Sequence, residues 1–267
     1  MRLEAPIAAA TLLLAFDDQP ITIVRSDRRH HPVSRVSAMS GLRTCATLAS
    51  HDGRLHGVEV SLTPWMAFAL SGTDQSELAT ESVDPLSLPS SWIRALTDEP
   101  AGTPGWERRF ALLDTALAAR AAAGPRPAPQ VVRAWELLSR SGGRIPMRRL
   151  VEEVGWSVRQ LERRFGQQIG QTPKAPARVL RLQRARRQLA AGRPPGAVAA
   201  DCGFFDQAHL CREFKAMTDL APTEFVEHRE PERPDPADSD PRAGHGGPAG
   251  PPLDRLPGEA TSIVLAG

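Results

Sequence analysis

The sequence predicts an α+β N-terminal domain, then an all-α domain in which two helix-turn-helix units are joined by a long helix, and finally a disordered C-terminal tail. Three observations carry this prediction: short apolar runs before residue 63, a helical pattern that occurs twice after residue 145, and a final stretch rich in Pro, Gly and Asp. The predicted boundaries are 1–123 for the first domain, 124–129 for a proline-rich linker, 130–228 for the helical domain and 229–267 for an acidic tail.

The first domain combines a few strands with helices. Predicted strands cover residues 11–16, 21–25, 43–50 and 55–62, the last two joined by an Asp52-Gly53 turn. Residues 26–41, rich in Ser, Arg, His and Pro, are predicted to be loop. Predicted helices run over 64–70, 92–96 and 106–122, with Thr63-Pro64 starting the first. Four strands are too few for a full barrel, so this part is predicted to be a small α+β domain.

The helical domain begins with an amphipathic helix from about Val131, and its first helix-turn-helix unit follows. Met147, Leu150, Val151 and Val154 have the i, i+3, i+4, i+7 spacing of a helix face. Gly155 can adopt the positive φ that a tight turn needs. Ser157 is then placed as an N-cap, and Gln160 can complete a capping box. The second helix of the unit is predicted to bury Val158, Leu161 and Phe165.

The same pattern returns about fifty residues later. Gly203-Phe204 stands where Gly155-Trp156 stood, Asp206 replaces Ser157 as N-cap, and Phe205 is one extra residue in the turn. The corresponding buried positions are Val198, Ala199, Cys202, Leu210 and Phe214. Between the units, residues 174–190 are predicted to form one helix that buries Val179, Leu182, Ala185 and Leu189. Its length of roughly 25 Å can hold two recognition helices about one DNA turn, roughly 34 Å, apart.

Charge is unevenly distributed along the chain, although the net charge is only +2. Residues 144–187 carry 12 basic and 3 acidic side chains, whereas residues 188–230 carry 4 and 7. Neutralisation of phosphates dominates the affinity of proteins for DNA. The first unit is therefore expected to anchor the protein on DNA, and the second to add selectivity or a polymerase contact. No apolar run is long enough to span a membrane and no signal peptide is recognisable, which predicts a cytoplasmic protein, and the expected binding to DNA places it at the nucleoid.

Residues 145–226 resemble the DNA-binding domain of AraC-type transcription regulators. The resemblance is closest from Cys202 to Phe214 and from Ala221 to Phe225. It implies recognition of double-stranded promoter DNA through two adjacent major-groove segments, contact with RNA polymerase, activation rather than repression, and no catalysis. It also implies that the N-terminal domain binds a small-molecule effector or forms a homodimer. No cofactor or metal is expected.

The resemblance also assigns residues to the DNA interface. The expected base contacts come from the exposed faces of the two recognition helices, namely Arg159, Gln160, Glu162, Arg163, Gln207, Ala208, His209, Cys211 and Arg212. The expected phosphate contacts are Ser157, Arg164, Arg186, Asp206 and Lys215. Arg163 and Arg212 occupy equivalent places, and an arginine there can hold guanine O6 and N7 with two hydrogen bonds.

Other interpretations remain open from the sequence. The histidines at positions 30, 31, 51 and 56, with Glu59, resemble a set of metal ligands, although surface histidines beside a turn are ordinary. Cys202, His209 and Cys211 are close in sequence, but the repeat places Cys202 inward and Cys211 outward. A catalytic N-terminal domain fused to a DNA-binding module would need a metal or a reactive cysteine, and Cys45 is the only cysteine there. A nucleoid-binding protein without sequence specificity is the third alternative.

Overall fold

The computed structural model of the 267-residue chain describes residues 2–25, 31–51, 56–88, 92–227 and 260–265. A sheet-rich N-terminal part is followed by a helical part, which confirms the predicted fold class. The strands are β1 (Arg2–Glu4), β2 (Ala10–Ala15), β3 (Ile21–Arg25), β4 (Val33–Arg35), β5 (Ala38–Ser40), β6 (Thr47–Ser50), β7 (Gly57–Leu62) and β8 (Ala260–Leu265). They form two four-stranded antiparallel sheets, with strand orders β1-β6-β3-β4 and β5-β2-β7-β8.

The two faces of β2 are buried against different partners, because successive side chains of a strand point to opposite faces. Leu12 and Leu14 belong to the core that lies between the second sheet and the helices. Leu13 instead packs with Ile21 and Ala49 of the first sheet. Glu59, on β7, is also buried, with 8% of its surface exposed. The second sheet is therefore covered on both faces.

Four helices follow the strands of the N-terminal part. They are α1 (Pro64–Ser71), α2 (Gln75–Thr80), α3 (Trp92–Gly102) and α4 (Trp106–Ala123). Pro64 occupies the first position of α1, as predicted, but the Thr63 side chain makes no capping hydrogen bond. Leu113 and Leu117 of α4 are buried in the same core as Leu12 and Leu14.

Two sequence predictions about strands were wrong. The predicted loop at 26–41 contains β4 and β5. No local pattern predicts these strands, because both are short and gain their hydrogen bonds from distant partners, β3 and β2. The predicted strand at 43–50 is reduced to β6. Residues 260–265 form an edge strand on β7, which the composition of the tail did not predict. The predicted Asp52-Gly53 turn, His30 and most of the tail lie outside the described residues.

The helical part begins with α5 (Pro129–Arg140) and continues through α6 (Met147–Val154), α7 (Val158–Ile169), α8 (Lys174–Ala190), α9 (Pro195–Cys202), α10 (Gln207–Thr218) and α11 (Pro222–Glu227). The bounds of α8 are those predicted. Its side chains belong to two separate cores, since Val179 and Leu180 pack with α5–α7 and Leu182, Ala185 and Leu189 pack with α9–α10. The long helix therefore contributes buried side chains to the cores of both units.

The first unit also shares its core with the N-terminal part. Leu42 is fully buried among side chains of α5, α6 and α7, and Trp65 packs edge-on against Trp135 with ring centroids 5.9 Å apart. In the segment 124–129, the Ala128 N–H donates to Gln168 Oε1 at 2.8 Å. The predicted linker is therefore packed against α7 at its end, while the domain boundary at this point stays a prediction. Within the described residues, no helix is both long and apolar enough to cross a membrane.

Candidate nucleic-acid interface

The first helix-turn-helix unit consists of α6, a glycine turn and α7. Gly155 ends α6 with φ of 73°, a left-handed conformation that glycine adopts without steric cost. Ser157 then caps α7, and its Oγ accepts a hydrogen bond from the Gln160 N–H at 3.2 Å. Leu161 and Phe165 are fully buried beneath this turn. The turn, the cap and these two core positions therefore lie where the sequence predicted them.

Val158 is an exception, because the structure leaves 43% of its surface exposed. The prediction that it is buried was wrong. Val158 is the first residue of α7, and its side chain does not reach the core. The next apolar residue of the helix, Leu161, is fully buried instead.

The outer face of α7 carries the side chains that were predicted to meet DNA. Ser157 and the five side chains expected from α7 are all exposed: Arg159, Gln160, Glu162, Arg163 and Arg164. Among the described residues, Arg159 and Arg163 form no ion pair or hydrogen bond with the protein. Their guanidinium groups are therefore available to an external anion or acceptor.

The second unit, α9 and α10, repeats this local geometry. Gly203 has φ of 75°, close to that of Gly155, and Asp206 caps α10 by accepting from the His209 N–H at 2.6 Å. The His209 ring is used inside the turn, where its Nδ1 accepts a hydrogen bond from the Phe205 N–H at 3.1 Å. Leu210 and Phe214 are fully buried. Both units thus present a capped helix behind a glycine turn.

The outer face of α10 is less polar than that of α7. Four of the residues predicted to contact DNA are exposed, namely Gln207, Ala208, Arg212 and Lys215, together with the capping Asp206. Cys211 and His209 are half-buried. Within the described residues, Arg212 makes no ion pair or hydrogen bond, which matches the situation of Arg163.

A bidentate ion pair fixes the second unit to the long helix. Arg178 of α8 donates from Nε to Glu213 Oε2 at 2.7 Å and from Nη2 to Oε1 at 3.2 Å. One turn later, Arg181 donates from Nη1 to the Gly203 carbonyl at 3.1 Å, and its guanidinium lies 5.4 Å from the centre of the Phe204 ring. Burial lowers the pKa of Arg181, and the nearby Glu213 carboxylate opposes that shift. The Glu213 carboxylate therefore stabilises the positive charges of two arginines on α8, Arg178 and Arg181.

Glu213→Gln is expected to destabilise the protein by about 1–2 kcal/mol, less than the loss of a partner from a fully buried pair. The reason is that Arg178 and Glu213 keep 31% and 21% of their side-chain surface exposed, so water screens the pair in part. Urea unfolding followed by circular dichroism measures the change. The matched control is Glu136→Gln, whose ion pairs to Arg133 and Arg140 are 3.7 and 3.9 Å long and more exposed, and which should shift stability by under about 0.5 kcal/mol. Equal effects of the two substitutions would contradict the role given to Glu213.

Arg186 is placed differently from the other residues predicted to contact phosphate. Its guanidinium stacks over the Phe225 ring at 4.8 Å from the centroid, and the side chain is half-buried. In this structure it joins α8 to α11. A phosphate contact by Arg186 stays a prediction that requires the side chain to leave this ring.

Two further cations lie between the units, and the sequence patterns did not single them out. Arg144 and Lys174 line a cleft of about 310 Å³ together with Arg181 and the apolar side chains of Ile145 and Met147. Neither residue is on a recognition helix, so the repeat gave no reason to select them. Only the high local charge of residues 144–187 pointed to this region.

The three described histidines among those considered as metal ligands are not gathered into one site. His31 and His51 are exposed. His56 packs against the rings of Phe16 and Trp106, and its Nε2 lies 3.1 Å from Arg109 Nη1. Within the described ranges, no group of three or more His, Cys, Asp or Glu residues is arranged to hold a metal ion.

The cysteines are also not arranged as a reactive pair. Cys202 is fully buried in the core of the second unit, and that burial raises the pKa of its thiol. Cys211, which the repeat predicted to point outward, lies half-buried on α10, and Cys45 is buried in the N-terminal part. A raised thiol pKa keeps Cys202 neutral at pH 7, which is typical of a structural cysteine.

Comparison with known proteins agrees with this geometry. Residues 150–228 match the helix-turn-helix domain family. Comparison with curated proteins found no match.

The chain is also similar to solved structures. An AraC-type DNA-binding domain-containing transcriptional regulator from Chromobacterium violaceum is 27% identical over 39% of this chain and 96% of that chain, with a TM-score of 0.36. A probable AraC family transcriptional regulator from Rhodopseudomonas palustris is 28% identical over 39% of this chain and all of that chain, with a TM-score of 0.35. ToxT from Vibrio cholerae is 10% identical over 85% of this chain and 93% of that chain, with a TM-score of 0.48.

The family match begins at Leu150 within α6 and extends past α11, so it includes both recognition helices and the long helix between them. The structure in turn shows two capped helices behind glycine turns, joined by α8. Residues 150–228 of this chain therefore form a DNA-binding helix-turn-helix domain, with both predicted recognition helices inside it.

Proposed function

We propose that this chain is a sequence-specific transcription regulator that reads two adjacent major-groove segments with α7 and α10. The observation that carries this proposal is the matched pair of arginines, Arg163 and Arg212. Each is exposed, each follows the core leucine of its recognition helix by two residues, and each lacks a protein partner among the described residues. An unpaired arginine on a recognition helix is suited to a bidentate contact with guanine.

The remaining residues of the interface divide by position. Arg159, Gln160 and Glu162 on α7 and Gln207, Ala208, His209 and Cys211 on α10 are proposed to meet bases, as predicted from the sequence. The exposed side chains of Ser157, Arg164, Asp206 and Lys215, with Arg186 after rearrangement, are proposed to lie near phosphates. Asp206 is proposed to act there as the cap that fixes the start of α10, because its own charge is repelled by phosphate.

The two units are proposed to differ in what they supply. The first unit, with 12 basic and 3 acidic side chains over residues 144–187, anchors the protein electrostatically. The second unit adds selectivity or a contact with RNA polymerase. The N-terminal part is proposed to bind a small-molecule effector or a second copy of the chain, and regulation is proposed to be activation in the cytoplasm, at the nucleoid. The direct packing of Leu42 and Trp65 on the first unit gives such an effector a route to the DNA-binding part.

Selection of bound fragments from genomic DNA, followed by footprinting, tests the proposal. A protected site of roughly two helical turns that resists competitor DNA is the expected result. Equal binding to all fragments would instead support a non-specific nucleoid protein.

Arg163→Ala and Arg212→Ala are each expected to weaken binding to the selected site by about 1–3 kcal/mol and to relax the base preference at one position. The reason is the loss of a bidentate contact in the groove. Equilibrium binding to the site and to single-base variants measures both effects. Arg140→Ala removes the same charge from an exposed position on α5 and should leave the base preferences unchanged. If Arg163→Ala lowers affinity equally for every sequence, its contact is with phosphate and the assignment to a base is wrong.

A further inference from the structure

The turn of the second unit holds an aromatic side chain that no packing in the protein explains. The first unit passes from Trp156 directly to its N-cap Ser157, whereas the second inserts Phe205 between Phe204 and its N-cap Asp206. Phe205 has 92% of its surface exposed, far more than any other large apolar residue among those described. A phenylalanine left in water gives up the stability that burial supplies. The insertion therefore points to a role outside the folded chain.

Phe205 is exposed, but its backbone position is well defined. Its N–H donates to His209 Nδ1 at 3.1 Å, and the Asp206 carboxylate in turn accepts from the His209 N–H at 2.6 Å. On the other side, Phe204 is buried, with its ring against His209 at 5.6 Å between centroids. The backbone is thus anchored immediately before and after Phe205, so the freedom left to the ring at the surface is that of its own side-chain torsions. Such prior ordering lowers the entropic cost of a contact.

The ring lies at the start of the second recognition helix. Residues at this end of a recognition helix contact base edges, and Gln207 and Ala208 follow Phe205 directly. An apolar side chain in the major groove can read thymine, because its 5-methyl group is the apolar feature of that groove.

The second unit also needs a source of affinity other than charge. Residues 188–230 carry 4 basic and 7 acidic side chains, so phosphate neutralisation contributes little there. An exposed aromatic ring supplies apolar contact that does not depend on net charge. Apolar contact between Phe205 and DNA therefore explains both the extra residue in the second turn and how the second unit binds with so little positive charge.

We propose that Phe205 reads a thymine, through contact of its ring with the 5-methyl group at the major-groove edge beneath the start of α10. The inference rests on the proposed function, since it requires α10 to lie in the groove. It adds a specificity residue that belongs to the second unit alone.

The experiment is a cycle between protein and DNA variants. Each thymine in the half of the selected site under the second unit is replaced in turn by deoxyuridine, which lacks only the methyl group. Wild-type protein should lose roughly fourfold in affinity at one of these positions, as expected for one buried methyl group. Phe205→Ala should bind the thymine site more weakly and show no further loss with deoxyuridine at that position. Phe205→Leu, which keeps an apolar side chain, should restore part of the methyl dependence.

Controls separate this inference from stability and from the wider proposal. Phe205→Ala should melt at the same temperature as wild type, because an exposed ring contributes little packing. Leu86→Ala removes another exposed apolar side chain, 53% exposed in the N-terminal part, and should keep the wild-type methyl dependence. A specific site whose affinity does not depend on any thymine methyl under the second unit overturns the inference and leaves the proposed function intact. Unchanged DNA affinity with reduced transcription in Phe205→Ala also overturns it, in favour of a polymerase contact. Absence of any preferred site overturns the proposed function itself.

Discussion

Phe165→Ala is expected to destabilise the protein by about 3–5 kcal/mol, the range for removing a large aromatic side chain from a packed core. Phe165 is fully buried, and its ring stacks on Trp135 with centroids 6.5 Å apart. Truncation leaves a cavity between α5 and α7 that rigid neighbours such as Leu161 can fill only in part. Thermal and urea unfolding measure the loss.

The effect of Phe165→Ala should extend into the N-terminal part, because that part contributes to the same core. Leu42 is buried in it and Trp65 packs on Trp135. The two parts are therefore expected to lose structure together, with hydrogen exchange rising in α1 as well as in α7. Val158→Ala, on the same helix but 43% exposed, is the control and should change stability by under about 0.5 kcal/mol. A Phe165→Ala protein within about 1 kcal/mol of wild type would show that the cavity closes and that the core is not a rigid unit.

The helical half of this fold could be predicted in detail because its information is local. A helix start needs a cap such as Ser157 or Asp206, and a tight turn needs a residue such as Gly155 or Gly203. Both signals lie within a few residues of the element that they control. Because these signals occur in both copies, they also mark where the helix between the copies begins and ends. The bounds of that helix, α8, were predicted correctly.

The N-terminal half was predicted less well because its short strands depend on distant partners. The strand β5, at Ala38–Ser40, contains a Met between Ala and Ser and carries no pattern of its own. It exists because β2 offers its backbone groups from about 27 residues away, with Met39 opposite Leu12. The same holds for the strand at Ala260–Leu265, whose partner β7 lies about 200 residues earlier. Three- to six-residue strands of this kind are fixed by tertiary pairing rather than by propensity.

The candidate site divides in the same way. The exposure of Arg163 and Arg212 follows from helix periodicity, because each lies two residues after a buried leucine. The exposure of Phe205 does not follow, because an apolar residue in a turn is equally compatible with burial. The contact of Leu42 and Trp65 with the first unit joins positions about 90 and 70 residues from Val131 and Trp135, and no local pattern encodes it.

Phe214→Ala is expected to cost about 3–5 kcal/mol as well, but to act mainly on the second unit. Phe214 is fully buried and meets Phe225 edge-on with centroids 5.3 Å apart. Its core is formed by α8–α10 and does not include the residues of α5–α7. Local opening of α9 and α10 should therefore become easier while the first unit keeps its structure. Hydrogen exchange resolved along the chain measures this, with faster exchange in α10 and wild-type exchange in α7.

The consequence for DNA binding distinguishes the two units. The first unit carries 12 basic and 3 acidic side chains over residues 144–187, so Phe214→Ala protein should retain salt-sensitive binding to any DNA. The loss should fall on specific binding, because a partly opened α10 no longer presents Arg212 and Gln207 in fixed positions. Binding to the selected site and to a scrambled duplex, each measured over a range of salt, gives the ratio of specific to non-specific affinity. That ratio should fall, while the salt dependence on the scrambled duplex stays close to that of wild type. If non-specific binding fell as far as specific binding, anchoring would require both units, and the division of roles inferred from their charges would be wrong.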